Sequence, residues 1–301
     1  MKVLITGASG FLGQYVLDCL NQRSIPYVAA GRRQPVGVAA ADFIDVDLLQ
    51  HPALAVEQAS GVTHLLHLAW YVEHRKYWHS PLNLRWVDAT VRLVEAFCAA
   101  GGRHVVVAGS GAEYAWTGNV CDPDSSPLIP GTLYGVAKDA TRRLILALCA
   151  ANSVRCVWAR VFMLHGAGEA PGRLVPSLID VFQNGSAPFS VDTAAQRDFL
   201  HAADVASGFM TLLQSPAEGA FNLCSGEPVA LGTVAKILAH QLHADPAPLL
   251  ALNQVRENEP RLLVGDNTKL RALGWRPRYD LAGGLARTID EYKITSQKAC
   301  L

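Results

Sequence analysis

Several features are absent from this sequence, and each absence excludes a class of protein. The 301 residues include 26 lysines and arginines against 26 aspartates and glutamates, so no excess charge attracts nucleic acid or an anionic membrane. No stretch approaches the roughly 20 apolar residues that a membrane-spanning helix needs. We therefore expect no nucleic-acid partner and no membrane association.

Cysteine pairs are also absent. The seven cysteines are scattered and include no C-x-x-C motif: Cys19, Cys98, Cys121, Cys149, Cys156, Cys224 and Cys300. Their odd number favours reduced thiols over a disulfide framework. An apolar run near the N-terminus is interrupted by Gly7, Gly10 and Gly13 before it could serve as the hydrophobic core of a signal peptide. We expect a soluble, cytoplasmic protein.

What the chain does contain is an alternation of strand and helix patterns. Short apolar or β-branched runs predict strands at 2–6, 27–31, 43–46, 63–69 and 104–109. Helical patterns lie at 11–21, at 84–100 and from Leu133 to Ala150. This alternation predicts an α/β fold with a doubly wound parallel sheet of the Rossmann type, covered on both faces.

The second half of the chain has a different composition. The alternation weakens from about Phe162, and glycine and proline become frequent. We expect a dinucleotide-binding domain over residues 1–165 and a smaller α/β substrate-binding lobe over residues 166–301. A strand near 221–224 is expected to return to the main sheet. No internal repeat is present.

A glycine-rich turn follows the first predicted strand. Gly7-x-x-Gly10-x-x-Gly13 lies between that strand and a helix, where glycine lets the backbone approach a pyrophosphate at the helix N-terminus. Three glycines alone are a weak signal, because a flexible turn has the same composition, but their position between strand and helix favours dinucleotide binding. Ser9, Phe11 and Leu12 belong to the same candidate turn.

The end of the second strand is where the choice between NAD and NADP is made. An acidic residue there would bind the 2′-hydroxyl of NAD, but this chain has Gly31-Arg32-Arg33, and we expect no acidic residue nearby. Two guanidinium groups suit a 2′-phosphate, so we expect NADP(H) in preference to NAD(H), which stays possible. An exposed basic loop is the alternative explanation. Asp47 and Leu48, after the third strand, are candidate adenine contacts.

A candidate catalytic set comprises Ser110, Tyr134 and Lys138. Tyr134 and Lys138 are four residues apart in a helical pattern, so both project from one face. A nearby ammonium group would stabilise the phenolate of a tyrosine whose pKa is ordinarily about 10. Ser110 ends an apolar strand, at the sheet edge where α/β proteins bind ligands. The set predicts proton transfer by Tyr134 and hydride exchange with a nicotinamide.

These motifs together resemble the extended short-chain dehydrogenases/reductases of the NAD-dependent epimerase/dehydratase superfamily. Gly7, Gly10 and Gly13 match the glycine turn of the family, and Ser110, Tyr134 and Lys138 match its catalytic residues. Further similar segments follow at 197–206, 221–227 and 273–277. The resemblance covers nearly the whole chain. It also implies cofactor contacts after the fourth strand, at Leu68, Ala69 and Trp70.

The resemblance implies a nucleoside-diphosphate sugar as substrate and a homodimer that pairs through the two long helices. Arg197 and Arg256 are the best matched candidates for the diphosphate, with Arg173 and Tyr71 as further substrate residues; solvated surface arginine is the alternative. Two departures are present: Met163 stands where the family often has asparagine, and Ala112 where dehydratases have an acid. The first weakens the sugar-nucleotide interpretation and the second disfavours dehydration.

Other polar and aromatic residues give weaker signals. The segment from Trp70 to Trp86 is dense in aromatic and basic residues, and it suits the floor of a sugar site, core packing or a subunit contact equally well. The histidines predict no metal site.

The interpretation we favour is an NADPH-dependent ketoreductase of a nucleoside-diphosphate 4-keto-6-deoxy sugar. The alternatives are an NAD-dependent nucleotide-sugar 4-epimerase, a reductase of a ketone without a nucleotide, and a non-catalytic dinucleotide sensor. The Arg32-Arg33 pair favours the first over the epimerase, and retention of all three catalytic residues disfavours the sensor.

Overall fold

A parallel sheet forms the centre of the molecule. The computed structural model describes residues 1–256 and 259–299, with only the helical backbone for 294–299. Seven strands lie in the order β3-β2-β1-β4-β5-β6-β10, and every neighbouring pair is parallel. They are β1 (Val3–Thr6), β2 (Tyr27–Gly31), β3 (Phe43–Asp45), β4 (His64–His67), β5 (His104–Ser110), β6 (Arg155–Val161) and β10 (Gly219–Leu223). The predicted Rossmann fold class is confirmed.

Helices cover both faces of this sheet. Those of the first half are α1 (Phe11–Gln22), α2 (Leu54–Glu57), α3 (Leu82–Ala99) and α4 (Leu133–Ala151). One apolar layer packs α1 against β1 and β4, and another packs α3 and α4 on the opposite face. The sheet is therefore buried on both sides, which explains the near-continuous apolar runs of its central strands.

The strand order reverses between β1 and β4. From β1 the chain proceeds to β2 and β3 on one side, and then crosses to β4 on the other. Ligands of doubly wound sheets bind in the crevice at the carboxyl ends of the strands at such a reversal. In this chain the crevice lies between the turn after β1 and residues 68–70 after β4.

A smaller lobe is built from the second half. It contains β7 (Met163–His165) paired with β9 (Phe199–His201), and a second sheet in the order β11-β8-β12. The strands of that sheet are β8 (Gln196–Arg197), β11 (Val229–Ala230) and β12 (Leu262–Leu263). The helices of the second half are α5 (Leu174–Asn184), α6 (Ala202–Gln214), α7 (Leu231–Gln241), α8 (Ala247–Leu250), α9 (Thr268–Ala272) and α10 (Leu281–Ala299).

Part of the second half belongs to the core of the main domain. Phe209 and Met210 of α6 pack in the same apolar cluster as Val16 and Leu20 of α1, and Trp275 joins them. The strand β10 pairs with β6 and forms one edge of the main sheet. The chain therefore crosses between the two lobes more than once, and the boundary at residue 165 stays a prediction.

The structure adds to two points of the sequence analysis, membrane-spanning segments and cysteines. No helix of the described ranges is both long and apolar enough to cross a bilayer. Six cysteines are free thiols: Cys19, Cys98, Cys121, Cys149, Cys156 and Cys224. The seventh, Cys300, lies outside the described residues.

Candidate active site

The glycine turn after β1 is packed too tightly for larger residues. A Cβ atom on Gly13 would lie 2.2 Å from the carbonyl oxygen of Gly7, and one on Gly7 would lie 2.7 Å from the backbone nitrogen of Ala69. Gly7 also has φ +76°, which favours glycine. The turn thus brings the start of α1 close to the end of β4.

The N-terminus of α1 is free to bind an anion. Its N-cap residue is Gly10, which supplies no side-chain hydrogen bond to the first turn, and the first turn contains no acidic residue. Uncapped backbone N–H groups and the helix dipole suit a pyrophosphate. Ser9, Phe11 and Leu12 lie in this region as predicted, so the residues present fit a dinucleotide.

The two arginines after β2 are exposed, as an adenosine phosphate site requires. One expectation needs correction, however. The register of β2 and β3 places Asp45 beside Gly31, so an acidic residue lies next to the start of the arginine pair although the sequence separates them. Parallel pairing of neighbouring strands, which the linear sequence does not show, is the reason.

The two proposed adenine contacts, Asp47 and Leu48, come shortly after Asp45 in the chain. Leu48 is buried, with 5% of its surface exposed. Asp47 is half-buried and accepts a hydrogen bond from the backbone N–H of Leu49 over 3.0 Å, which fixes the turn after β3.

Residues 68–70 lead from β4 into the aromatic segment. Leu68 continues the β1 ladder through a backbone hydrogen bond to Thr6, and Ala69 approaches Gly7. Trp70 turns its ring over the Nζ of Lys138, 3.8 Å from the ring centroid, and its Nε1 donates to Oδ1 of Asn83 over 2.9 Å. The side chain of Trp70 therefore contacts both Lys138, the candidate catalytic lysine, and α3.

The three candidate catalytic residues meet at the carboxyl end of β5. Helix α4 begins with Thr132 as its N-cap, whose Oγ1 accepts from the backbone N–H of Gly135. Tyr134 and Lys138 are both buried, with 7% and 3% of their surface exposed. Lys138 Nζ donates to the carbonyl oxygen of Ala108 over 2.9 Å, and the Ser110 hydroxyl interacts with Tyr134.

Burial dominates the electrostatics of this pair. It raises the pKa of Tyr134 well above the usual tyrosine range, against the opposing effect of the Ser110 hydroxyl, and the charge of Arg173 also acts to lower it. It lowers the pKa of Lys138 to about 7. The ammonium group donates its hydrogen bond to the carbonyl oxygen of Ala108. Stabilisation of the phenolate by Lys138 stays a prediction.

Two aromatic side chains pack against Tyr134, the candidate catalytic tyrosine. Tyr77 and Trp78 stack on each other and meet the ring of Tyr134 edge-on, with centroids 4.8 and 5.8 Å from it. The guanidinium of Arg173 lies 5.7 Å from the Tyr77 centroid. Of the predicted substrate residues, Arg173 is therefore beside the catalytic centre. Tyr71 joins the same aromatic cluster, and its hydroxyl donates to Glu73.

The other two predicted substrate arginines share one carboxylate. Arg197 is buried and its Nη2 lies 3.4 Å from Oε2 of Glu259, while Nη1 of Arg256 lies 2.9 Å from Oε1 of the same residue. A single anion thus links the two guanidinium groups. Within residues 1–256 and 259–299, no group of three or more histidine, cysteine or acidic side chains is placed to hold a metal ion.

Comparison with known proteins identifies the family. Residues 3–224 match the model of the NAD dependent epimerase/dehydratase family. The chain belongs to this family.

Individual relatives of the epimerase/dehydratase family agree with that assignment. The UDP-glucose 4-epimerase of Streptomyces lividans is 26% identical over 93% of this chain and 93% of its own. The dTDP-6-deoxy-L-talose 4-dehydrogenase (NAD(+)) of Aggregatibacter actinomycetemcomitans is 24% identical over 82% of this chain and 93% of its own. The structure of MoeE5 in complex with UDP-glucuronic acid and NAD is 26% identical, with a TM-score of 0.85 over 98% of this chain and 100% of that one.

Sequence reasoning missed one polar group of this epimerase/dehydratase site. Glu113 and Arg160 form a buried ion pair with 2.7 Å between Oε2 and Nε, and neither side chain is exposed. The backbone N–H of Ser110 donates to Oε1 of Glu113 over 2.7 Å. The residues are 47 positions apart and meet only because β5 and β6 are neighbours. The one sequence signal was a charged residue in each of two otherwise apolar segments.

The arrangement gives each residue a chemical task. A bound nicotinamide dinucleotide supplies the hydride acceptor or donor, and the uncapped start of α1 would hold its pyrophosphate. In the roles predicted for them, Tyr134 would exchange a proton with a substrate oxygen and Ser110 would hydrogen-bond the same oxygen. Tyr77 and Trp78 pack against the ring of Tyr134. The family match makes the protein an enzyme of the oxidoreductase type.

Proposed function

We propose that the protein is an NADPH-dependent ketoreductase that acts on a nucleoside-diphosphate 4-keto-6-deoxy sugar. The observation that carries this proposal is the meeting of Ser110, Tyr134 and Lys138 at the carboxyl end of β5, with exposed Arg32 and Arg33 at the end of β2. The first set suits proton transfer to a carbonyl oxygen, and the second suits a 2′-phosphate. The relative named dTDP-6-deoxy-L-talose 4-dehydrogenase (NAD(+)) supports the choice of substrate, although its name gives NAD as the cofactor.

The substrate diphosphate would bind on the lobe side of the site. Arg197 and Arg256 already share the carboxylate of Glu259, and a diphosphate offers the same bidentate chemistry with more negative charge. Arg173, next to Tyr77, would contact the sugar side of the substrate. Ala112 gives the site no acid for dehydration by elimination.

An NAD-dependent 4-epimerase is the second candidate, and a specific observation favours it. Asp45 lies beside Gly31, where a carboxylate could bind the 2′-hydroxyl of NAD. Several relatives carry the name UDP-glucose 4-epimerase, and the MoeE5 structure contains NAD. The two candidates differ in whether the cofactor is consumed.

Cofactor consumption provides the test. The purified enzyme is mixed with a 4-keto-6-deoxy nucleotide sugar and with either NADPH or NADH. The absorbance of the reduced nicotinamide is then followed over time. We expect oxidation of NADPH in equal amount to the substrate, and loss of the NADPH preference in the Arg32→Ser/Arg33→Ser variant. Interconversion of 4-hydroxy sugars with no net loss of reduced cofactor would establish the epimerase instead.

The catalytic assignment has its own test. Tyr134→Phe removes the transferable proton and leaves the ring packed against Tyr77 and Trp78, so we expect turnover to fall by about 10²-fold or more while dinucleotide affinity is kept. Turnover is measured under saturating cofactor, and affinity by fluorescence of the bound reduced nicotinamide. Unchanged turnover in this variant would remove Tyr134 from the mechanism.

We also infer a homodimer formed through α3 and α4. These helices pack against each other, and their surfaces expose Leu84, Val136 and Leu144, each about half exposed. Leu144→Lys is expected to shift the mass measured by light scattering toward the monomer. An unchanged mass in this variant would place the subunit contact elsewhere.

A further inference from the structure

Glu113 lies directly beneath the catalytic serine. Its Oε1 accepts hydrogen bonds from the backbone N–H of Ser110 over 2.7 Å and from Nε1 of Trp158 over 2.9 Å. Its Oε2 accepts from Nε of Arg160 over 2.7 Å, and the same indole N–H is 2.9 Å away. Since Ser110 also accepts from Ala112, the residues 110–113 form a closed capping box that fixes the serine.

The partners of Glu113 are all donors. A protonated carboxyl group would need an acceptor for its own proton, whereas an N–H of the backbone, an indole and a guanidinium each require a lone pair. Burial raises the pKa of Glu113, but Arg160 and these hydrogen bonds act in the opposite direction. The donor set therefore selects the carboxylate, in spite of its complete burial.

The atoms around Glu113 are packed too closely for its carboxylate to take another position. A Cβ atom on Gly109 would lie 2.2 Å from Nε1 of Trp158 and 2.8 Å from Oε1 of Glu113. Arg160 is held from its far side by the Tyr114 hydroxyl and the carbonyl oxygen of Pro123, each 3.1 Å from Nη1. The carboxylate thus has one position, which the strands β5 and β6 define.

Trp158 connects this carboxylate to the catalytic lysine. The Nζ of Lys138 lies 5.9 Å from the centroid of the Trp158 ring, whose N–H donates to Glu113. Lys138 donates to Ala108, and Ser110, two residues further along the same strand, donates to Glu113. The ammonium group and the carboxylate therefore both lie beside one indole, and both residues are buried.

We propose that Glu113 is a positioning residue, whose buried carboxylate holds Ser110 in place and stabilises the charged form of Lys138. Its role in turnover rests on the proposed function; its effect on the charge of Lys138 does not. Glu113 never touches substrate or cofactor in this assignment. It acts through Ser110 by a hydrogen bond and through Lys138 by its charge.

The charge of Glu113 shifts the pKa values of Lys138 and Tyr134 in the directions that this role requires. Burial lowers the pKa of Lys138 to about 7, and Glu113 is the charge that raises it. The same carboxylate raises the pKa of Tyr134, which keeps the phenol protonated until it is needed as an acid. As an order of magnitude, a unit charge about 10 Å away shifts a pKa by about one unit at an effective dielectric constant of about 20. Without Glu113, the charged form of Lys138 would be less stable.

The experiment is a titration of Lys138 in the full chain without substrate. The ¹⁵N shift of its side-chain amine is followed against pH in lysine-labelled protein, with Lys138→Met to assign the signal. In Glu113→Gln, which keeps an oxygen for Ser110, we expect the midpoint to fall by about one pH unit. The matched control is Asp139→Asn, because Asp139 follows Lys138 in α4 but pairs with Arg142 and Arg143.

Two results would decide against the proposal. A midpoint in Glu113→Gln that moves no further than in Asp139→Asn would overturn it. If Glu113→Gln does not fold because Arg160 is left unpaired, Glu113→Gln/Arg160→Gln is compared with Arg160→Gln. Both variants lack the Arg160 cation, so the midpoint of the double variant is expected below that of Arg160→Gln, because Glu113 raises the pKa of Lys138. Equal midpoints in these two variants would equally overturn the proposal.

Turnover gives an independent readout. When the ammonium form is required, activity falls as pH rises through the pKa of Lys138, so the alkaline limb of the kcat profile should move to lower pH in Glu113→Gln. Should the protein reduce no keto sugar at all, the titration would still stand, and only the proposed function would fail.

Discussion

At the scale of single residues, Lys138, the candidate catalytic lysine, is the most unusual group of the site. Its ammonium group is buried and hydrogen-bonded to one carbonyl oxygen, and the ring of Trp70 covers it at 3.8 Å. Trp70 is itself fixed through Asn83, whose Nδ2 donates to the carbonyl oxygens of Tyr77 and Ser80. The indole face therefore replaces part of the hydration that Lys138 loses.

Removal of this ring should make the charge of Lys138 less stable. A desolvated cation–π contact contributes about 2 kcal/mol, which corresponds to about 1.5 pKa units. In Trp70→Leu we expect the midpoint of Lys138, measured by ¹⁵N titration, to fall by about that amount. Trp70→Phe keeps an aromatic face but loses the bond to Asn83, so it should shift the midpoint less. Equal shifts in both variants would show that Trp70 acts by packing alone.

At the scale of elements, the glycine turn and α1 form one rigid unit. A methyl group on Gly13 would meet only backbone atoms of Gly7 and Ala8, at 2.2 to 2.7 Å, and backbone cannot rotate aside. In Gly13→Ala we therefore expect a loss of about 1 to 3 kcal/mol in the free energy of unfolding and weaker dinucleotide binding.

Gly131→Ala is the matched control for this prediction. A Cβ atom at Gly131 meets nothing within 4 Å. Urea denaturation measures the stability of both variants, and fluorescence titration measures their affinity for the reduced dinucleotide. A Gly13→Ala variant as stable as Gly131→Ala would mean that α1 can move away from β1.

The strands and long helices were predictable because their signals are local. The bounds of β2 agree with the predicted 27–31, and α3 and α4 begin and end within two residues of the prediction. Apolar runs and helical periodicity depend on neighbouring residues, so one sequence suffices to find them. The order of strands also follows from the rules for parallel sheets.

The contacts between elements were not predictable in the same way. Glu113 meets Arg160, and Gly31 lies beside Asp45, because of pairing between strands that are distant in sequence. The catalytic trio could be proposed from spacing and order, whereas its cover by Tyr77 and Trp78 could not, since an aromatic loop of the same composition also suits core packing. Tertiary contacts of this kind carry no periodic signal.

At the scale of the whole molecule, buried polar groups join the two lobes. Asn222 of β10 accepts from the hydroxyl of Tyr114 and donates to the carbonyl oxygens of Cys121 and Asp266. Asp198 accepts four hydrogen bonds, from the N–H and hydroxyl of Ser225 and from the backbone of Gly226 and Gly265. Such satisfied networks specify one relative arrangement of the lobes around the site.

Buried histidines make this arrangement sensitive to acid. Burial lowers the pKa of His165 to about 3, and its ring faces His201, whose pKa is lowered to about 4, with centroids 5.4 Å apart. Both are neutral in the folded protein near pH 5, whereas the unfolded chain binds protons below about pH 6.5. The unfolded state then holds more protons, so stability falls as pH decreases from about 6.5 toward 3.

His165→Asn tests this dependence at one site. At pH 5 the protonation of the unfolded state costs about 2 kcal/mol for one fully buried histidine. The asparagine amide can replace Nδ1 in the bond to the Thr288 hydroxyl. Between pH 7.5 and 5 the variant should therefore lose about 2 kcal/mol less stability than the native protein does. Urea denaturation at the two pH values measures the difference, with the exposed His240→Asn as control. Equal acid sensitivity in native protein and His165→Asn would assign the acid response to other groups, such as His67, whose pKa burial also lowers to about 3.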